Sequence, residues 1–188
     1  MKENLIIAGK LTLICFVAVV LLTLINFVTA KKIKQNQTIV EENANKLLIP
    51  EGNKFVKKPF TGYDPDTTGF YYYEVKKGST LIGYIVSVIG KGYGGAMKVM
   101  VAFDLNLKIL NMKLLSNAET PGIGKKAEKQ EYMAKFINTN TKEKPFPYNK
   151  SMLSQSDKDS ITGATITFNG VTGAGRMAID LLKKQIGE

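Results

Sequence analysis

The sequence predicts an α+β fold: one N-terminal transmembrane helix, then a single domain built on an antiparallel meander with flanking helices. Three observations predict it. Residues Leu11 to Ala30 read LTLICFVAVVLLTLINFVTA without one charged side chain. Four short strand-like runs follow one another between Phe70 and Leu115, separated by tight turns. A long amphipathic pattern closes the chain. Strands gathered in one block, with helices outside it, make an α+β domain, and 188 residues favour one such domain over two.

The elements follow in order. A helix of about 20 apolar residues crosses a bilayer core, so Leu11–Ala30 is long enough to span. Val28-Thr29-Ala30 also resembles the cleavage site of a signal peptide; a retained anchor is expected here. Lys2 and Lys10 precede the run, and Lys31, Lys32, Lys34 and Lys46 follow it. That bias mildly favours a cytoplasmic C-terminal domain, under a rule that is weak for long translocated segments. Thr38–Leu48 reads as a short amphipathic helix closed before Pro50. Glu51–Gly69 is rich in Gly, Pro, Asp and Thr and is expected to be loop. The strand-like runs are Phe70–Lys76, Thr80–Ile89, Ala96–Asp104 and Lys108–Leu115. Ala127–Asn138 has a helical pattern, and Thr139–Asp157 is polar and mostly irregular. The last helix is expected from about Phe168 to Ile186, with Val171, Ala174, Ala178, Ile179, Leu182 and Ile186 on its apolar face. The expected division is 1–30 (N-terminus and anchor), 31–69 (juxtamembrane helix and loop) and 70–188 (the folded domain).

Composition removes several kinds of chemistry. There is no histidine, and the single cysteine, Cys15, lies in the apolar run. Disulfides, thiolate nucleophiles, zinc sites and serine–histidine triads are therefore excluded from the folded domain. Redox or group-transfer chemistry would have to come from an organic cofactor. The formal charge is +10, almost all of it lysine, with Arg176 the only arginine. Without an arginine-rich run or a recognition motif, nucleic acid is not an expected partner. A lysine-rich surface near a membrane, or facing an acidic partner, is the plainer account.

Near the C-terminus, Asp159 to Thr167 reads D-S-I-T-G-A-T-I-T. Gly163 and Ala164 leave room for a ligand to approach the backbone. A helix starting just after Thr165 would present N–H groups and the positive end of its dipole to a phosphate. Thr162, Thr165 and Thr167 could each donate a hydrogen bond to phosphate oxygens. Spacing alone is equally satisfied by a helix cap and a β-branched strand end.

Asp159-x-x-Thr162-Gly163-Ala164-Thr165 fits the pattern D-x-x-[ST]-G-A-[ST] at every specified position. In this the chain resembles the FMN-binding domain family of the G subunit of Rnf complexes, related to the C subunit of the sodium-pumping NADH:quinone reductase. Glu119-Thr120-Pro121-Gly122-Ile123-Gly124 is similar to the family's E-T-P-G-[LI]-G loop, although Pro121-Gly122 also suits an ordinary type II turn. Gly90-x-Gly92-Tyr93-Gly94-Gly95 resembles its glycine-rich hairpin. The resemblance covers roughly Phe70 to the C-terminus and the single-anchor layout.

The resemblance implies one FMN held covalently through a phosphoester at Thr165. It implies cofactor contacts from Thr162, Gly163, Ala164, Thr167, Glu119, Thr120, Pro121, Gly122 and Tyr93, and recognition of Asp159 by a separate flavin transferase. It implies neither catalytic acid or base residues nor metal ligands. The chain would be an electron-carrying subunit beside the integral membrane subunits of an Rnf-type ferredoxin:NAD oxidoreductase coupled to Na+ or H+ translocation. Its flavin domain would lie on the extracytoplasmic face, against the lysine bias. The alternatives are the quinone reductase C subunit, a stand-alone extracellular electron-transfer flavoprotein and, in another class, a non-redox membrane-anchored binding module.

Overall fold

A computed structural model describes residues 2–121 and 124–187. The chain divides into two compact units, Met1–Glu42 and Asn43–Glu188. Helix α1 runs from Lys2 to Leu48, so the expected anchor and juxtamembrane helices are one continuous element. Its segment Ile6–Leu48 is long and apolar enough to cross a membrane by length and composition. Polar hydroxyls in the apolar run are satisfied within the helix: Thr12, Thr23 and Thr29 donate to the carbonyls of Ala8, Val19 and Ile25 at 2.8–2.9 Å. In a medium without water, each such hydroxyl needs that internal partner.

The second unit is built on one sheet. β1 (Lys54–Pro59), β2 (Tyr71–Lys77), β3 (Thr80–Lys91), β4 (Ala96–Phe103) and β5 (Ile109–Ser116) lie in chain order, each antiparallel to the next. The last four match the expected meander to within two residues at each end. β1 corrects the expected loop at Glu51–Gly69; a short helix, α2 (Pro65–Thr68), follows it there. Three lysines and a terminal proline disguise β1 in the sequence, but they suit an edge strand, where charge and a missing N–H donor discourage further pairing.

Alternation along β2 sends Tyr71, Tyr73 and Val75 to one face of the sheet and Tyr72 to the other. On the first face they pack with Ile85, Met100 and Ala102 against Ala44, Leu48 and Ile49. On the opposite face Val86, Val88, Val99, Val101 and Met112 pack under α5 (Thr165–Ile186). Phe168 of α5 is fully buried and stacks on Phe136, which stacks on Phe146, with centroids 6.0 and 5.6 Å apart. Removing such a ring costs about 3–5 kcal/mol. Backbone meets backbone where α5 crosses β3: a Cβ on Gly90 would strike the carbonyl oxygen of Gly170, 2.6 Å away. That close seating fixes the start of α5 against the sheet.

Two helical expectations are corrected. Ala127–Asn138 is not one helix; it is a 3-10 turn (Gly124–Glu128), the one-turn helix α3 (Gln130–Met133) and a second 3-10 turn (Ala134–Phe136). Lys129 interrupts the pattern with extended backbone (φ −76°, ψ 140°), and burial of Tyr132, Met133 and Phe136 outweighs helical propensity. The last helix begins at Thr165, three residues earlier than expected, after α4 (Gln155–Ser160).

Candidate functional site

The site is organised around a buried carboxylate. Just beyond β5, the Asn117 side-chain oxygen accepts the Glu119 N–H at 2.9 Å and turns the chain inward. Glu119 is 4% exposed. Its Oε1 accepts the Gly94 N–H at 3.0 Å, and its Oε2 accepts the Thr167 hydroxyl at 2.5 Å. A buried carboxylate is tolerable only with such donors, and hydrogen bonds to a charged acceptor are among the stronger ones. Glu119 therefore joins three parts of the chain: the β3–β4 hairpin, the loop after β5 and the first turn of α5. The space it occupies depends on glycine, because side chains at Gly92 or Gly124 would collide with its carboxylate, and one at Gly94 would collide with the Ala118 carbonyl.

Opposite this network stands the turn before α5. The Ser154 hydroxyl accepts the Asp157 N–H at 3.2 Å and caps α4. Buried Ile161 pins the turn, and the Thr162 and Ala164 N–H groups donate to the carbonyls of Asp159 and Ile161. Gly163 then takes φ +82°, a left-handed conformation costly for other residues. Ala164 is the N-cap of α5 and supplies no side-chain acceptor, so the first-turn N–H groups lack a capping side chain.

Between the network and the turn lies a cavity of about 430 Å3. Tyr93, Glu119, Thr120 and Thr167 line it from one side, and Gly163, Ala164 and Thr165 from the other. Gly124 and Ile166 line it too and lie outside the expected set. Gly124 was findable as the last glycine of E-T-P-G-I-G; nothing local marks Ile166. Tyr93 is 73% exposed and Ile166 53%, so two apolar groups stand free at the cavity. Of the other expected residues, Thr162 on the motif turn and Asp159 at the end of α4 are exposed and do not line the cavity. The Thr162 hydroxyl donates to the Lys158 carbonyl, and Asp159 accepts from the Gln155 amide at 2.9 Å. Pro121 is exposed beside the cavity loop, and Gly122 lies outside the described residues.

The three motif threonines thus differ. Thr167 is 2% exposed with its hydroxyl held by Glu119, and the Thr162 hydroxyl is bonded back to α4. Thr165 is exposed on the cavity, and among the described residues its hydroxyl has no hydrogen-bond partner. Behind the network, burial and then the Glu119 charge push the Tyr132 phenol well above the usual tyrosine range.

These residues fit FMN. The volume lies in the ordinary range for small-ligand pockets. An uncapped helix start suits a phosphate, and the free Tyr93 and Ile166 side chains suit an aromatic ring system.

Comparison with known proteins agrees with this geometry. Residues 92–180 match the FMN-binding domain family, a span that contains every cavity-lining residue. The G subunit of a proton-translocating ferredoxin:NAD(+) oxidoreductase complex from Clostridium ljungdahlii is 28% identical over 174 residues, covering 93% of this chain and 89% of that protein. The G subunit of an ion-translocating oxidoreductase complex from Methanosarcina acetivorans is 26% identical over 191 residues, covering 99% and 98%. Its counterpart from Shewanella piezotolerans is 28% identical over 191 residues, covering 95% and 87%. Residues 92–180 thus match the FMN-binding domain family, and the chain is similar along most of its length to the G subunits of these oxidoreductase complexes.

Proposed function

We propose that this chain is the membrane-anchored electron-transfer subunit of an Rnf-type ferredoxin:NAD oxidoreductase, carrying one FMN through a phosphoester at Thr165. The observation that carries the reading is the contrast among the motif threonines. Thr165 alone combines exposure on the cavity with an uncommitted hydroxyl, at the first residue of a helix whose N–H groups lack a capping side chain. Bound FMN would supply reversible electron transfer. The chain would hold the phosphate with the α5 N-terminus and flank the ring with Tyr93 and Ile166. Glu119 would keep the cavity walls at a fixed spacing. Exposed Asp159, on α4 beside the turn, is accessible to a flavin transferase.

The remaining parts of the reading follow from the relatives' names and from α1. The anchor would pack beside integral subunits of the complex, and electron flow through the whole assembly would drive Na+ or H+ across the membrane. The flavin domain would face the extracytoplasmic side. The first experiment purifies the protein from its native membrane, denatures it, and combines in-gel flavin fluorescence with intact mass. The expected result is a gain equal to FMN minus water on the Thr165 peptide, absent from Thr165→Val. Flavin-free protein from cells with a working transferase would overturn the reading. Orientation is tested separately by labelling a cysteine introduced at Asp64: reaction only after the membrane is permeabilised would sink the extracytoplasmic placement.

A further inference from the structure

The chain carries a formal charge of +10, but the cavity before α5 has the opposite sign. Among the described residues that line it, Glu119 is the one formally charged side chain. Both of its oxygens are held by neutral donors, the Gly94 N–H at 3.0 Å and the Thr167 hydroxyl at 2.5 Å. Among the described residues, no lysine or arginine forms an ion pair with it. Hydrogen bonds from neutral groups spread a carboxylate's charge and do not cancel it. At 4% exposure, water screens that charge poorly. Its field reaches neighbouring groups: after burial, the Glu119 charge is the second influence that raises the Tyr132 phenol.

Holding the cavity wall together needs the hydrogen bonds and not the charge. A glutamine would accept the Gly94 N–H with its oxygen and offer its NH2 to the Thr167 oxygen. It would also avoid the cost of burying an ion. Nor does the charge help a phosphate, which a carboxylate repels and which suits the α5 N-terminus on the other wall. The group left to feel it is the ring system that the free Tyr93 and Ile166 side chains suit. Reduction of FMN takes up two electrons with one or two protons, and with one proton the reduced ring is an anion. A fixed negative charge opposes the added electrons through space, without contact.

We infer that the Glu119 carboxylate holds the flavin potential low by destabilising reduced FMN relative to oxidised FMN, which rests on this cavity being the flavin site. Glu119 acts through its field and is not a catalytic residue.

The test is a spectroelectrochemical titration of the full-length flavinylated protein in detergent at neutral pH, with electrons from dithionite and protons from the buffer. Glu119→Gln removes the charge and keeps the hydrogen bonds; Glu119→Asp keeps the charge and stretches them. Glu119→Gln should raise the midpoint potential, by the equivalent of about tenfold in the equilibrium constant for reduction. Glu119→Asp should stay near the unaltered protein in potential although its Tm falls. An unmoved potential in Glu119→Gln, or equal shifts in both variants, would overturn the inference. A second arm needs no phosphoester: the dissociation constants of added oxidised and reduced FMN are measured on Thr165→Val protein. Oxidised FMN should bind more tightly, and adding Glu119→Gln should shift the ratio about tenfold toward reduced FMN. The preference for oxidised FMN is read with Glu119 in place, so it decides even if Glu119→Gln does not fold. Bound flavin with an equal or reversed preference overturns this inference alone. A chain that neither carries nor binds FMN overturns the flavin reading with it.

Discussion

The two walls of the cavity before α5 are built on opposite rules. On the Glu119 side both carboxylate oxygens are committed, and Gly92, Gly94 and Gly124 stand where something already fills the space a side chain would need. On the Thr165 side the backbone is held from below by Ile161, and among the described residues the Thr165 hydroxyl is free and nothing lies within 4 Å of where a Cβ on Gly163 would stand. The first wall sets distances; the second presents chemistry. Substitutions should therefore separate stability from flavin content according to the wall they touch.

The largest effect on folding is expected from Gly94→Ala. The new methyl would collide with the Ala118 backbone and should destabilise by about 3 kcal/mol, read as a fall in Tm. Thr167→Val comes next. It removes one of the two donors that buried Glu119 has among the described residues and should cost about 2 kcal/mol in denaturant titration. Gly163→Ala should cost about 1 kcal/mol, because only left-handed strain opposes it. A loss as large as that of Gly94→Ala would dissolve the distinction between the walls.

Tyr132 bears on pH. Its folded phenol ionises above the unfolded one, so the folded state holds this proton more tightly. That contribution is fully present below the unfolded value, about 10, and is lost as pH rises through the folded one. Stability should decline on the alkaline side, and Tyr132→Phe should flatten that decline in melts compared between neutral and alkaline pH. The smallest effect on folding belongs to Thr165→Val, within about 0.5 kcal/mol by thermal melt. The same variant should lose its flavin completely, and a variant that loses both fold and flavin would mean the second wall is structural as well.

The sequence disclosed these two walls unequally. D-S-I-T-G-A-T-I-T marks the second wall in one contiguous stretch, since hydroxyls and small residues at a helix start are a local signal. The first wall joins residues 48 apart, Glu119 and Thr167, through a hydrogen bond no local pattern encodes. Thr167 consequently reads as a phosphate donor in sequence, whereas its hydroxyl is occupied by Glu119. The meander was legible because alternation and turn glycines are local; β1 was not, because its lysines and proline look like loop until the edge position explains them. Ala127–Asn138 has a helical composition that tertiary burial breaks into shorter turns, and local propensity carries no trace of that burial.

Under the proposed covalent attachment at Thr165, the pairing of Thr167 with Glu119 has a consequence for maturation. Chemists who must modify one of two similar alcohols mask the other. Here the fold supplies the mask, so a modifying enzyme with little discrimination of its own would still deliver a single adduct. The mask exists only in the folded chain, which makes correct folding a precondition for a homogeneous product. A misfolded chain would reveal itself by heterogeneous labelling.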